Sequence, residues 1–192
     1  PYGVAIAFGA MFSWMGGEIR SELAETADNI SDIIRSSEGA NLIQEMNALA
    51  TRMREKVGIV LADYMMAPVA KRFVAQLNEN AKHLAAFFEV PEGCHNFIVG
   101  MRGFADACFI VIIRRDSEDD MVRRYLDAVE TMLEGVESLR IHVRDGGNYG
   151  WRTLLVPTLY VDMLSIFLAD IKGEDAFDVE EIVSLKKEIS GA

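Results

Sequence analysis

Two short stretches hold the side chains best suited to moving a proton. The first is Gln76-Leu-Asn-Glu-Asn-Ala-Lys82, at the end of an amphipathic pattern. Amides on either side of Glu79 can hold its carboxylate by hydrogen bonds and leave it able to accept a proton. The second is Pro91-Glu-Gly-Cys-His-Asn-Phe-Ile-Val-Gly100, which reads as a loop just past a strand end. His95 lies in it, and an imidazole is a proton carrier near neutral pH. The other histidines read as structural. His142 lies within a strand-like run, and His83 follows a helix end, where a cationic ring complements the helix dipole. Cys108 reads as a small core residue and Cys94 as a turn cysteine, both reduced, with no metal-ligand spacing and no disulfide framework. No Gly-rich dinucleotide loop, Walker loop, HExxH or GxSxG occurs.

The elements that must position these residues fall into two regions. Residues 3–15 form an apolar helix, broken at Gly16-Gly17. Ile19, Leu23, Ala27, Ile30 and Ile33-Ile34 mark an amphipathic helix, and Leu42, Met46, Leu49 and Met53 another. From Val57 the pattern changes to short β-branched runs alternating with helices. Strands are expected at Val57–Ala62, Ala85–Val90, Cys108–Ile113 and Leu139–Val143. Helices are expected at 67–82, 119–134, 153–171 and 179–188. That alternation predicts a mainly parallel sheet with helices on both faces, a three-layer α/β/α domain over 57–192 preceded by a helical segment over 1–56. Ligands in such sheets sit at the carboxyl ends of the strands. Glu79 is accordingly expected to face a concave pocket at that edge.

Charge narrows the partners. The chain carries 30 acidic and 19 basic side chains, a net charge of −11. Its scattered Lys and Arg would not overcome repulsion from a phosphate backbone, so nucleic acid is not an expected partner. The runs Val4–Met15 and Cys108–Ile113 are too short to span a bilayer, and no secretory signal is recognisable, so no membrane partner and a cytoplasmic location are expected. The chain starts at Pro1 in mid-pattern, which reads as entry into a longer protein. The apolar residues Ile6, Phe8, Met11, Phe12 and Trp14 predict packing against a partner domain or subunit.

Read together, Ala70-Lys-Arg-Phe-Val-Ala-Gln-Leu-Asn-Glu-Asn-Ala-Lys82 and His95-Asn-Phe-Ile-Val-Gly100 resemble the archaeal-type bifunctional phosphoglucose/phosphomannose isomerases, of the sugar isomerase (SIS) domain superfamily. Tyr160-Val-Asp-Met-Leu-Ser-Ile-Phe-Leu-Ala169 and Ile182-Val-Ser-Leu-Lys186 are similar too. The resemblance covers the chain from about Val57 onward and matches the C-terminal half of that family. It implies an SIS-type sheet and aldose–ketose isomerisation of a hexose 6-phosphate (glucose, fructose, possibly mannose 6-phosphate) through a cis-enediol. Glu79 matches the base, His95 a ring-opening histidine supplied by the other subunit, and Lys186 a lysine lining the site. Gln76 and Asn80 are implied to contact substrate. No cofactor and no metal are implied, and a homodimer with an upstream SIS domain is. The alternative is a non-catalytic SIS-type module for sugar-phosphate binding or dimerisation. The family's Ser/Thr-rich phosphate loop does not occur here, Tyr2 falls at its arginine position, Phe97 at a glutamate and Val179 at a hydroxyl residue.

Overall fold

The computed structural model describes residues 17–147 and 149–191. The expected first helix, over residues 3–15, and Tyr2 lie outside the described residues. The order is α1 (Gly17–Arg35), α2 (Ser37–Met53), β1 (Val57–Asp63), α3 (Ala67–Ala81), β2 (Ala85–Val90), α4 (Glu92–Met101), β3 (Cys108–Arg115), α5 (Asp120–Met132), β4 (Ser138–Val143), α6 (Trp151–Lys172) and α7 (Glu180–Ser190). The four strands form one parallel sheet in the order β2-β1-β3-β4.

Burial explains which runs become which strands. β3 is buried at every position and β1 at all but its first, as expected of central strands covered on both faces. β4, at the edge, alternates half-buried Leu139 and Ile141 with exposed Arg140 and His142. Both central strands run past their apolar stretches into charge. β1 ends on buried Asp63, and β3 ends on buried Arg114 and Arg115.

Two cores flank the sheet. One takes Met46, Ala50 and Met53 from α2, Phe73 and Leu77 from α3, and Leu164 and Leu168 from α6. The other takes Cys94, Phe97 and Met101 from α4 and Val122, Leu126 and Val129 from α5. α2 starts at its Ser36 cap, whose hydroxyl accepts the Gly39 N–H. The expectation for α1 shifts slightly: the buried position is Thr26, whose hydroxyl donates to Glu22 O at 2.8 Å, and Ala27 is exposed. α6 is long and apolar enough to cross a membrane by length and composition. Its Val161, Leu164, Leu168 and Ala169 instead fill the first core. α7 buries no residue, and Leu185 and Ile189 on it are exposed.

Three expectations need correction. Pro91–Gly100 is not a loop, since α4 occupies Glu92–Met101. Cys94 is therefore a buried helix residue; burial raises its thiol pKa, as it does that of Cys108. His83 does not act as a helix-dipole cation. It is buried, its Nε2 has no hydrogen-bond partner, and burial, followed by the nearby Lys172 charge, pushes its pKa down to about 4. The ring is neutral in the folded chain.

A neutral buried histidine links stability to acid. The unfolded chain takes up a proton on His83 near pH 6.5 and the folded chain only near pH 4. Stability from this residue is complete above pH 6.5 and is lost as pH falls toward 4, up to on the order of 3 kcal/mol. His83→Asn should show a shallower fall in urea midpoint between pH 7 and pH 4.5 than wild type. Parallel falls would mean that His83 is not held neutral.

Candidate active site

The last turn of α3 carries the amide-rich stretch, and helix ends leave carbonyls without intrahelical partners. Two lysines satisfy them here. Lys172, at the end of α6, donates from Nζ to Ala81 O at 2.7 Å and Lys82 O at 2.8 Å. Lys82 adopts a left-handed cap (φ 44°), and its Nζ donates to Glu79 O at 3.1 Å, Asp175 O at 2.5 Å and Asp178 O at 2.7 Å. Each cation also opposes the negative end of the helix dipole. Below them, Gly58 of β1 makes room: a Cβ there would lie 3.1 Å from Ala85 Cβ and 3.4 Å from Leu77 Cδ1.

The amides are tied down as well. Asn80 Nδ2 donates to Gln76 Oε1 at 2.6 Å and to Ser165 Oγ of α6 at 3.0 Å, and Ser165 in turn donates to Asp162 O at 2.7 Å. Asn78 Nδ2 donates to Val74 O at 2.8 Å and to Ala85 O at 3.3 Å, joining the helix end to the start of β2. One turn earlier, Arg72 pairs with Asp162 at 2.7 Å. The amides thus hold one another and the backbone; none holds Glu79. Its carboxylate is exposed and accepts no hydrogen bond among the described residues.

The position of Glu79 differs from expectation. α3 leaves the carboxyl end of β1 and returns to the amino end of β2, so its last turn lies at the amino edge of the sheet. Asn78 reaching Ala85, the first residue of β2, marks the same edge. Neither of the two described cavities is lined by Glu79. His95 stands near the start of α4, just past the carboxyl end of β2, exposed, with its ring edge-on to Tyr125 at 6.0 Å. α3 and α4 contribute to the cores on opposite faces of the sheet. Within one chain, therefore, Gln76 and Asn80 meet, whereas Glu79 and His95 are separated by the sheet. Lys186 is exposed on α7. Phe97, at the family's glutamate position, is buried against Phe88.

At the carboxyl edge the structure holds a cluster that motif reading missed. Arg115 donates to Asp63 Oδ2 at 2.8 Å and 3.1 Å, and to Ser117 Oγ at 2.6 Å. Asp63 Oδ1 accepts Met66 N–H at 2.9 Å. Asp145 accepts from Ser117, from Arg115 at 3.4 Å and from Gly147 N–H at 3.2 Å. Burial alone would raise the Asp145 pKa, but these donors together hold it below the ordinary value. Beside it, Arg114 binds Glu118 at 2.7 Å and Asp127 at 2.6 Å. The available signal was two arginines ending an otherwise wholly apolar strand. His142 is partnered as expected, with Nε2 2.6 Å from Asp116 Oδ1, though it is exposed. Among the described residues, no group of three or more His, Cys, Asp or Glu side chains could hold a metal.

Residues 43–189 match the family described as the bacterial phospho-glucose isomerase C-terminal SIS domain. A bifunctional phosphoglucose/phosphomannose isomerase of Aquifex aeolicus is 28% identical over 176 residues, 90% of this chain and 53% of the relative. One of Thermoplasma acidophilum is 26% identical over 173 residues, 88% of this chain and 52% of the relative. The chain thus spans about half the length of these relatives. The fold is similar to that of the C-terminal domain of glucosamine-fructose-6-phosphate aminotransferase from Francisella tularensis, with a TM-score of 0.58 and 16% identity over 84% of this chain and 48% of that one.

The lysine clamp gives a direct test of what orders the last turn of α3. Lys172→Met removes two charge-assisted hydrogen bonds and should cost about 2 kcal/mol in unfolding free energy. Hydrogen exchange should quicken at the amides of Lys82 and His83, both bonded to Leu77 O, more than in β3. Uniform exchange changes would show that the clamp is not local.

Proposed function

We propose a function from one premise: the chain belongs to the family of bacterial phospho-glucose isomerase C-terminal SIS domains. It supplies the proton-transfer machinery of an aldose–ketose isomerase acting on hexose 6-phosphates, glucose and fructose 6-phosphate foremost and mannose 6-phosphate as a second aldose. The observation carrying this reading is Glu79. It is the one polar side chain between Gln76 and Lys82 left unbonded, on a helix end ordered by every other polar group there.

In the reaction, the Glu79 carboxylate removes the proton from C2 of the open-chain aldose. The electron pair moves toward the C1 carbonyl, whose oxygen takes a proton from water, and a cis-enediol forms. Glu79 then returns the carbon-bound proton to C1 as the C2 hydroxyl gives its proton to water and becomes the carbonyl. One carboxylate serves both carbons because the enediol is planar. Gln76 and Asn80 border the substrate, and Lys186 lines the same space. Opening the sugar ring needs a separate donor and acceptor. His95 of the partner subunit supplies it, because the sheet separates Glu79 from the His95 of its own chain. The protein is a soluble, cytoplasmic homodimer in which residues 1–56 join this half to an upstream SIS domain that grips the phosphate. No cofactor takes part.

A second reading has its own support. The carboxyl edge, where α/β sheets take ligands, is filled by Asp63, Arg115 and Asp145 bonded to one another, and no Ser/Thr-rich loop occurs. That favours the dimerisation side of the alternative, a non-catalytic SIS-type module, over a sugar-phosphate-binding one.

Deuterium exchange at C2 of glucose 6-phosphate, measured on the intact assembly, separates the two. Glu79→Gln should slow exchange by at least about a hundredfold, because an amide cannot accept the proton. KM should change much less, since the phosphate is held elsewhere. His95→Ala should slow turnover of cyclic sugar more than of open-chain substrate. Exchange at the wild-type rate in Glu79→Gln would remove Glu79 as the base. Absence of exchange in the wild-type assembly would leave the non-catalytic reading.

A further inference from the structure

Beside the edge strand lies a groove that the proposed reaction does not use. It holds about 400 Å³ between β4, α2 and α6, within the range of small-molecule sites. Met46, Leu139, Val143, Pro157 and Leu164 line it with apolar surface. Its polar lining includes the guanidinium groups of Arg140, Arg144 and Arg152 and the His142 ring, against the single carboxylate of Glu45.

Two of those side chains are already engaged. Arg140 is bonded to Glu130, and His142 to Asp116 at 2.6 Å. Arg144 and Arg152 are exposed and make no side-chain hydrogen bond or ion pair among the described residues. Both also line an adjoining cavity of about 260 Å³ with Glu22, Glu25, Thr26, Asp145 and Tyr149. They therefore stand where the two hollows meet, just past the carboxyl end of β4 and in the first turn of α6.

The surroundings already accommodate an oxyanion. Glu22 of α1 accepts the Trp151 N–H at 2.9 Å, so a carboxylate holds the amino end of α6 next to these arginines. Of the acids facing the second hollow, Glu22 is thus engaged, and Asp145 is held by Arg115, Ser117 and Gly147. Glu22, Glu25 and Glu45 remain as the opposing charges, since the neutral Trp151 N–H orients Glu22 without offsetting it. In a chain of net charge −11, two guanidinium groups without a side-chain partner among the described residues still bring positive charge to the mouth of a partly apolar groove. A guanidinium presents a planar fork of N–H donors that matches phosphate or carboxylate oxygens.

We propose that this groove binds a small molecule bearing an oxyanion, phosphate or carboxylate, held by Arg144 and Arg152, with its body along Leu139, Val143 and Pro157. Glu79 lies at the amino edge of the sheet and Arg144 at the carboxyl edge, so occupancy here is separate from proton transfer at Glu79.

The test is titration of the ¹⁵N-labelled full chain with inorganic phosphate and, separately, malonate, at ionic strength held constant with chloride. Saturable shifts confined to the amides of Arg144, Arg152 and their neighbours are expected for at least one of the two. The anion that saturates identifies the headgroup. The double variant Arg144→Gln/Arg152→Gln should bind at least tenfold more weakly with an unchanged melting temperature, since both side chains are exposed and unpaired. Lys71→Gln, on the exposed surface of α3, should bind as wild type. Linear, unsaturating shifts with both anions, or wild-type affinity in the double variant, would overturn the proposal.

Discussion

A parallel sheet imposes one geometric constraint that governs this molecule: each helix joining two strands must run back against them. α3 therefore starts at the carboxyl edge beside Asp63 and ends at the amino edge beside Ala85, carrying Glu79 with it. α4 starts at the carboxyl edge on the other face, which places His95 across the sheet. No side-chain rotation brings the two together, because β1 and β2 and the packed cores lie between them. The proposed chemistry consequently requires surfaces that one copy of this fold does not supply.

The same constraint explains why so much polar structure is gathered at the end of α3. A helix terminus at a sheet edge exposes carbonyls and would fray without partners. Lys172 and Lys82 each reach those carbonyls, and Asn80 bonds to Ser165 on α6. Gln76, Asn78, Asn80 and Lys82 are thereby spent on order rather than on solvent. What remains is a carboxylate on a fixed platform, free of internal competitors for a proton. In the proposed reaction, positioning of this kind would lower the barrier by fixing geometry before the substrate arrives.

Much of this was legible in the sequence, and the failures have definite causes. Cys108–Ile113 was recognisable as a strand because nothing in it is polar. Its continuation through Arg114 and Arg115 was not, because charge ordinarily ends a buried strand, and here carboxylates on neighbouring elements neutralise it. Pro91 and Gly93 made residues 91–100 look like a loop. The apolar spacing of Cys94, Phe97 and Met101 was the helical signal, and these three side chains are buried in one core. The place of His83 after a helix suggests a cap, whereas its protonation is set first by burial and then by the nearby Lys172 charge, which no local pattern encodes. The amide-rich stretch does gather its polar groups, but they bond to one another, to the backbone and to Ser165 rather than holding Glu79 as its spacing suggests. The carboxyl-end rule for ligands misplaces its edge, because a helix leaving a strand carries its last turn to the opposite edge.

The carboxyl edge shows how a parallel sheet can fill its usual ligand position with its own side chains. In this edge the first turn after β1 offers a backbone N–H at Met66, and Arg115 offers a guanidinium, a pair of donors suited to an oxyanion. Asp63 takes both, at 2.9 Å and 2.8 Å. A buried pair of this kind gains little net stability, since desolvation offsets most of the attraction, but removing one partner strands the other in a dry environment. The chain's own carboxylate thus occupies the β1–β3 part of that edge and fixes the turn that starts α3. The donors there are satisfied internally, and the groups proposed to act lie elsewhere: the exposed carboxylate of Glu79 at the amino edge and the exposed Arg144 and Arg152 beyond β4.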